Sequence, residues 1–337
     1  MREVSGSIGE LSVCIVGGAG FVGSHFADAL LGRAETRRVT LFDNFSSGRE
    51  RHFEQHIHDA RLYVVRGDAA YLPSLTDVVR GHDLVIHLAS NPDIARAVAE
   101  PEIDFYAGTL LTNNVVEAMR RAGVARLLYA SGSGVYGERG ETVLREDSVP
   151  LQPVSTYGAS KLAGEALIAS YCAMFGMDAC AFRFANVVGA RQTHGVGFDF
   201  LRRLREDPSR LRILGDGRQS KSYVHVGDVV SAVLLANTRV ETGFHVWNVA
   251  TEDAITVTEI AEMAAEVLGI QPRPRWEYTG GDRGWMGDVP VVRLDSSRIR
   301  ALGWKPRLSC REAVRRSLQE MMAESEKEPA IDACIPA

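Results

Sequence analysis

The sequence predicts an α/β protein of the Rossmann type, a doubly wound parallel sheet with a smaller C-terminal substrate-binding lobe. Three observations carry this expectation. Apolar runs suited to buried strands alternate with helical patterns through the first half of the chain. The first run, Leu11-Ser12-Val13-Cys14-Ile15-Val16, leads at once into Gly17-Gly18-Ala19-Gly20-Phe21-Val22-Gly23 and a helical pattern. Small residues therefore sit at a strand-to-helix turn, where a pyrophosphate can approach the helix N-terminus. The second run, Arg38-Val39-Thr40-Leu41-Phe42, ends in Asp43, twenty residues after Gly23. An acid there binds adenosine ribose hydroxyls and repels a 2'-phosphate, although a helix cap or a loop acid would look the same in sequence.

The remaining elements follow in order. Leu62-Tyr63-Val64-Val65-Arg66-Gly67-Asp68 reads as a third strand, 83–90 as a fourth, 111–122 as a helix and 126–130 as a fifth strand. A helix continues through 162–171, and 179–186 has the composition of a sixth strand. Beyond Gly189 the pattern is less regular. Gly195-Val196-Gly197-Phe198 precedes a helical stretch whose basic edge, Arg202, Arg203 and Arg205, reads as a solvated face, and 211–217 reads as strand and turn. Residues 1–188 are thus expected to form mainly the dinucleotide-binding domain and 189–322 mainly the substrate lobe, with 224–250 returning to the first domain and 323–337 a flexible tail.

At 337 residues and a formal charge of −5, the chain can bury a sizeable core and carries no electrostatic footprint for nucleic acid or an anionic membrane. Its five cysteines, Cys14, Cys172, Cys180, Cys310 and Cys334, are scattered and odd in number, which argues against a disulfide framework. No His or Cys spacing suggests a metal site. With neither a signal-peptide pattern at the start nor an apolar run of membrane-spanning length, a soluble cytoplasmic protein is expected.

The chemistry centres on Ser155-Thr156-Tyr157-Gly158-Ala159-Ser160-Lys161. Tyr157 and Lys161, four apart, share one face of a helix. A tyrosine with an ordinary pKa of roughly 10 is a poor base at neutral pH, and an ammonium beside it favours the phenolate. Alone, the same spacing more often describes an exposed helix face.

Gly17 to Gly23, Asp43-Asn44 with Ser46-Ser47-Gly48, Asp68, His87-Leu88-Ala89, Val135-Tyr136-Gly137 and Tyr157-x-x-x-Lys161 occur together in an order and spacing that resembles the extended short-chain dehydrogenase/reductase family. Within it, the chain is most similar to nucleotide-sugar epimerases of the UDP-glucose 4-epimerase type, from about Ser12 to Leu318. The resemblance implies a tightly held NAD contacted by Gly17, Gly20, Phe21, Val22, Gly23, Asp43, Asn44, Ser46, Gly48, Asp68, Ala69, Leu88, Ala89, Ser90, Ser131, Tyr157, Lys161 and Phe184. It implies that a hydride leaves the sugar for NAD, that Tyr157 removes the hydroxyl proton, and that the ketone is then reduced again. It places Asn186 near the diphosphate of a nucleotide sugar, and it implies a homodimer. Lys221 stands where such enzymes usually carry a phosphate-binding arginine. Trp285 stands at the place of a second, so Arg283 is either its substitute or a surface arginine.

Two departures from the family pattern stand out. The serine or threonine four residues before the tyrosine of Val-Tyr-Gly is replaced by Gly132, so either Ser133 reaches in from the next position or Tyr157 works directly. Gly108 occupies a place often held by a cofactor-contacting asparagine. Related dehydratases resemble Thr-Asp-Glu-Val-Tyr-Gly before that tyrosine, and related decarboxylases carry a glutamate two residues before it. Ser133 and Gly134 stand at these acid positions. Epimerisation at C4 is therefore expected over dehydration or decarboxylation, with a non-catalytic NAD-binding sensor as a third reading.

Overall fold

The computed structural model describes residues 11–239 and 242–327. The first half builds β1 (Leu11–Val16), α1 (Phe21–Leu31), β2 (Thr36–Asp43), β3 (Leu62–Arg66), α2 (Leu72–Val79), β4 (Leu84–His87), α3 (Leu111–Ala122), β5 (Arg126–Gly132), the short β6 (Val143–Leu144), α4 (Thr156–Phe175) and β7 (Asp178–Phe184). The second half adds β8 (Asn186–Val188), α5 (Val196–Glu206), β9 (Arg210–Ile213), β10 (Ser220–Lys221), β11 (Tyr223–His225), α6 (Val226–Arg239), β12 (Phe244–Val249), β13 (Ile255–Thr256), α7 (Val257–Val267), β14 (Arg275–Tyr278), β15 (Val291–Leu294), α8 (Ser297–Arg300) and α9 (Cys310–Lys327).

Seven strands form one sheet in the order β12-β7-β5-β4-β1-β2-β3, every neighbouring pair parallel. Alternate side chains of β1 enter opposite cores. Val13 and Ile15 pack with Phe26 and Leu30 of α1 and Val229 and Val233 of α6, whereas Cys14 and Val16 pack with Leu75 of α2, Val115 and Met119 of α3 and Ile168 of α4. A strand covered on both faces reads as a continuous apolar run, which is why β1 lacks alternation. Strand order reverses between β1 and β4, and a ligand crevice opens at the carboxyl ends of strands beside such a reversal.

A third core gathers Phe200 and Leu204 of α5, Ile213 of β9, Ile260 of α7, and Val314 and Leu318 of α9. A four-stranded sheet, β13-β10-β15-β6, runs alongside. Trp247 and Trp304 are buried in the core that Val13 and Ile15 enter.

Three boundaries differ from the sequence expectation. The expected sixth strand breaks at Ala185, whose amide bonds to the Val249 carbonyl, while the Asn186 amide bonds to Ser222. The chain thereby changes partner, and β8 pairs with β11 outside the main sheet. The fourth strand stops at His87 because the amides of Leu88 and Ala89 both turn onto the Val16 carbonyl. The expected tail begins as helix. Residues 323–327 belong to α9, whose Glu320 and Glu324 carboxylates accept the backbone N–H groups of Ala190 and Arg191, and 328–337 lie outside the described residues.

Candidate active site

The glycine turn is a cradle built on close approach. Gly17 has φ of +85°, and a Cβ there would lie 2.7 Å from the Ala89 amide nitrogen; one at Gly23 would lie 2.4 Å from the Gly17 carbonyl oxygen. Helix α1 starts immediately after Gly20 with no side-chain cap, which leaves its leading amides without a side-chain acceptor, a helix start suited to an anion. Asp43 closes the turn from the end of β2. Its Oδ2 accepts the Ala19 N–H at 2.9 Å and its Oδ1 the Phe45 N–H at 2.8 Å. In the following loop Asn44 accepts the Ser46 N–H at 3.0 Å, and a Cβ at Gly48 would press on Ala19 and Asp43. Asp68 accepts the Ala70 N–H, and the Ala69 carbonyl accepts Asn114 Nδ2. Glycines without room for a side chain, an uncapped helix start and a carboxylate behind them are what a dinucleotide needs along its diphosphate and ribose.

Helix α4 carries the reactive pair. Ser155 caps it by accepting the Gly158 N–H, and Gly176 at φ 66° ends it. Tyr157 and Lys161 follow on one face, with Lys161 Nζ donating to the Ala130 carbonyl at 2.9 Å and lying 5.3 Å from the Tyr129 ring centre. Burial pushes the Tyr157 phenol up to about 12, and the Asp104 carboxylate adds to this; the Ser90 hydroxyl, otherwise unpartnered among the described residues, pulls the other way. Burial draws Lys161 down to about 8, against the Asp104 charge. In the protein alone the Tyr157 phenol thus lies above its ordinary value, with loss of hydration the largest cause.

The serines after β5 separate. Ser131 is buried and donates to Glu165 Oε1 at 2.6 Å, while Glu165 is held by Arg183 at 2.7 Å. Ser133 opens the tight turn 133–136, whose Gly134 packs on Gly158, so that turn lies against the first turn of α4. At Gly132 the backbone is extended, with φ of −158°, and an added Cβ would meet nothing within 4 Å. Gly108 is the opposite case. A Cβ there would lie 2.6 Å from Ser160 Oγ, leaving no space for the asparagine that the family pattern suggests. Phe184 ends β7, stacked with Phe182 at 6.2 Å between ring centres.

The expected phosphate ligands already hold partners. Asn186 Nδ2 donates to the Ser222 carbonyl, Lys221 pairs with Asp288 at 2.5 Å, and Arg283 pairs with Glu138 at 2.7 Å while donating to the Asp288 carbonyl. His87 is packed in β4 and bonds Thr112; burial lowers the His194 pKa, and His225 pairs with Glu320 at 3.1 Å. Sequence reasoning missed Asp104, which no motif contains. It also missed the Glu165–Arg183 pair, although Glu165 falls four residues after Lys161 on the same helix face.

The model of the NAD dependent epimerase/dehydratase family matches residues 13–250. A putative UDP-glucose 4-epimerase of Methanocaldococcus jannaschii is 30% identical over 92% of this chain and 98% of its own length. A crystal structure of a UDP-galactose 4-epimerase superposes with a TM-score of 0.83 at 34% identity, covering 94% of this chain and 99% of that one. MoeE5 in complex with UDP-glucuronic acid and NAD superposes with a TM-score of 0.81 at 30% identity, covering 93% and 99%. A UDP-glucuronic acid decarboxylase of Arabidopsis thaliana is 29% identical over 92% of this chain and 70% of its own length. The chain therefore belongs to the NAD dependent epimerase/dehydratase family.

Proposed function

We propose that this chain inverts C4 of a UDP-linked sugar, UDP-glucose/UDP-galactose or the corresponding uronic acid pair, through a transient ketone. The observation that carries the reading is Ser133-Gly134 ahead of Val135-Tyr136, beside the half-buried Tyr157 and buried Lys161. Neither side chain is an acid that could expel water or assist loss of carbon dioxide, whereas inversion needs one group to move a single proton both ways. NAD, when bound, accepts a hydride from C4 and returns it. Tyr157 takes the C4 hydroxyl proton as the ketone forms and gives it back once the sugar has turned its other face. Ser133 adjoins Gly132, and the other flanking hydroxyl, Ser131, already donates to Glu165. Gly17, Gly20, Gly23, Asp43 and Asp68 hold the cofactor, and Asn186, Lys221 and Arg283 face the diphosphate in this reading. The space beside Gly132 suits rotation of the ketone or a C6 carboxylate. The reading includes a cytoplasmic homodimer, for which exposed Phe105 and Tyr106 supply apolar surface, and light scattering tests it.

The main test incubates the protein with UDP-glucose and UDP-glucuronate separately, without added NAD, and follows the sugar protons by NMR. The C4 epimer is expected. A 4-keto-6-deoxy sugar, or a pentose formed with loss of carbon dioxide, overturns the reading; bound NAD without turnover of either sugar points to a binding role.

A further inference from the structure

Asp104 lies immediately before a π-helical turn, Phe105–Leu110, that leads into α3, and it is only 1% exposed. Its Oδ2 accepts the Thr156 hydroxyl at 2.6 Å, and its Oδ1 accepts Asn91 Nδ2 at 2.9 Å. Thr156 precedes Tyr157, and Asn91 follows Ser90. One buried carboxylate therefore ties the segment that carries Ser90 to the start of α4, which carries Tyr157. The turn is fixed in place from its other end. Gly108 packs against Ser160, the residue before Lys161, and the Gly108 carbonyl accepts the Thr112 hydroxyl at 3.0 Å.

A carboxylate this deep is costly unless its hydrogen bonds and its charge are both matched. Thr156 and Asn91 satisfy the hydrogen bonds and are neutral. Around Lys161 stand the Ala130 carbonyl and Tyr129 ring of β5, His87 of β4, and Tyr157 on its own helix. Glu165, one turn further along α4, is matched by Arg183 and bonded by Ser131. Asp104 is the carboxylate whose charge acts on both Lys161 and Tyr157.

We propose that Asp104 is a positioning residue of the active site: it locks the Ser90 segment against Tyr157 and supplies the negative charge that keeps Lys161 an ammonium inside the protein. The proposal rests on the reading of Tyr157 and Lys161 as the proton-handling pair. The same charge opposes the phenolate, so the site favours a charged lysine at the expense of an easily ionised tyrosine.

The test of the electrostatic half does not depend on turnover. The sequence holds four lysines, Lys161, Lys221, Lys305 and Lys327, so ε-¹³C-lysine labelling gives a simple NMR spectrum in which Lys161→Met identifies the Lys161 signal. Asp104→Asn should move the Lys161 titration midpoint to lower pH by about one unit or more, while Asp104→Glu stays near the parent. Asp104→Ser, neutral and smaller, gives the same downward shift should the asparagine variant fail to fold. An unmoved midpoint in a neutral variant overturns the electrostatic half of the proposal. Thr156→Val keeps the charge and removes one donor, so it should leave the Lys161 midpoint in place and lower kcat with KM unchanged; an unchanged kcat overturns the positioning half. Absence of turnover in the parent would instead count against the epimerase reading, with the Lys161 midpoints still deciding the role of Asp104.

Discussion

Lys161 Nζ lies 5.4 Å from the centre of the Tyr157 ring, and burial moves the two groups in opposite directions, the phenol up to about 12 and the ammonium down to about 8. Each shift favours the neutral form. Proton release from Tyr157 therefore calls for added positive charge, which oxidised NAD would supply when bound.

Tyr157→Phe keeps the ring and removes the proton-handling hydroxyl. Turnover should fall by about 10²- to 10⁴-fold while the protein retains its NAD, counted after release by denaturation. Activity within a few-fold of the parent would assign the proton to another group.

Lys161→Met should stabilise the folded chain below the folded-state pKa. The lysine titrates near its ordinary 10.5 when unfolded and at about 8 when folded, so between these values the unfolded chain binds more protons and stability rises with pH. The burial penalty is fully present below about 8 and is relieved towards 10.5. Methionine removes that penalty, for a gain on the order of 2–3 kcal/mol at pH 7 before the lost bond to the Ala130 carbonyl is subtracted. Denaturant titrations at neutral pH and near pH 10 check this; an equal gain at both contradicts it.

Asp43→Asn should weaken NAD binding and narrow the preference over NADP, because the carboxylate both repels a 2'-phosphate and accepts the Ala19 and Phe45 amides. Arg49, whose side chain bonds the Gly48 carbonyl, is a nearby cation available to a phosphate. Calorimetry on cofactor-stripped protein measures both affinities. Equal binding of NAD and NADP by the parent would remove Asp43 from its assigned role.

Gly132→Ser should fold as well as the parent, since its Cβ meets no atom within 4 Å and the backbone is extended. If the open space receives the C6 carboxylate, kcat/KM for UDP-glucuronate falls relative to UDP-glucose by about tenfold or more, the size expected when a pocket loses room for a small group. Thermal melts and paired kinetics read the two effects, and an unchanged ratio assigns the space to ring rotation.

The sequence by itself determined the scaffold. A buried parallel strand, the Gly17-to-Gly23 turn, Asp43 twenty residues later and Tyr157 four before Lys161 are local patterns, set by backbone sterics and by periodicities of two and 3.6 residues. What spacing cannot express is which atoms meet across the chain. Asp104 joins Asn91 and Thr156 across thirteen and fifty-two residues, and Gly108 meets Ser160 across a similar gap. Ser131 turns to Glu165 while Gly132 faces open space, a divergence of adjacent residues that only the packing of β5 against α4 decides. The proton affinities of Tyr157 and Lys161 were likewise undetermined, because spacing reports a neighbour's charge, whereas hydration depends on every element that folds over the pair.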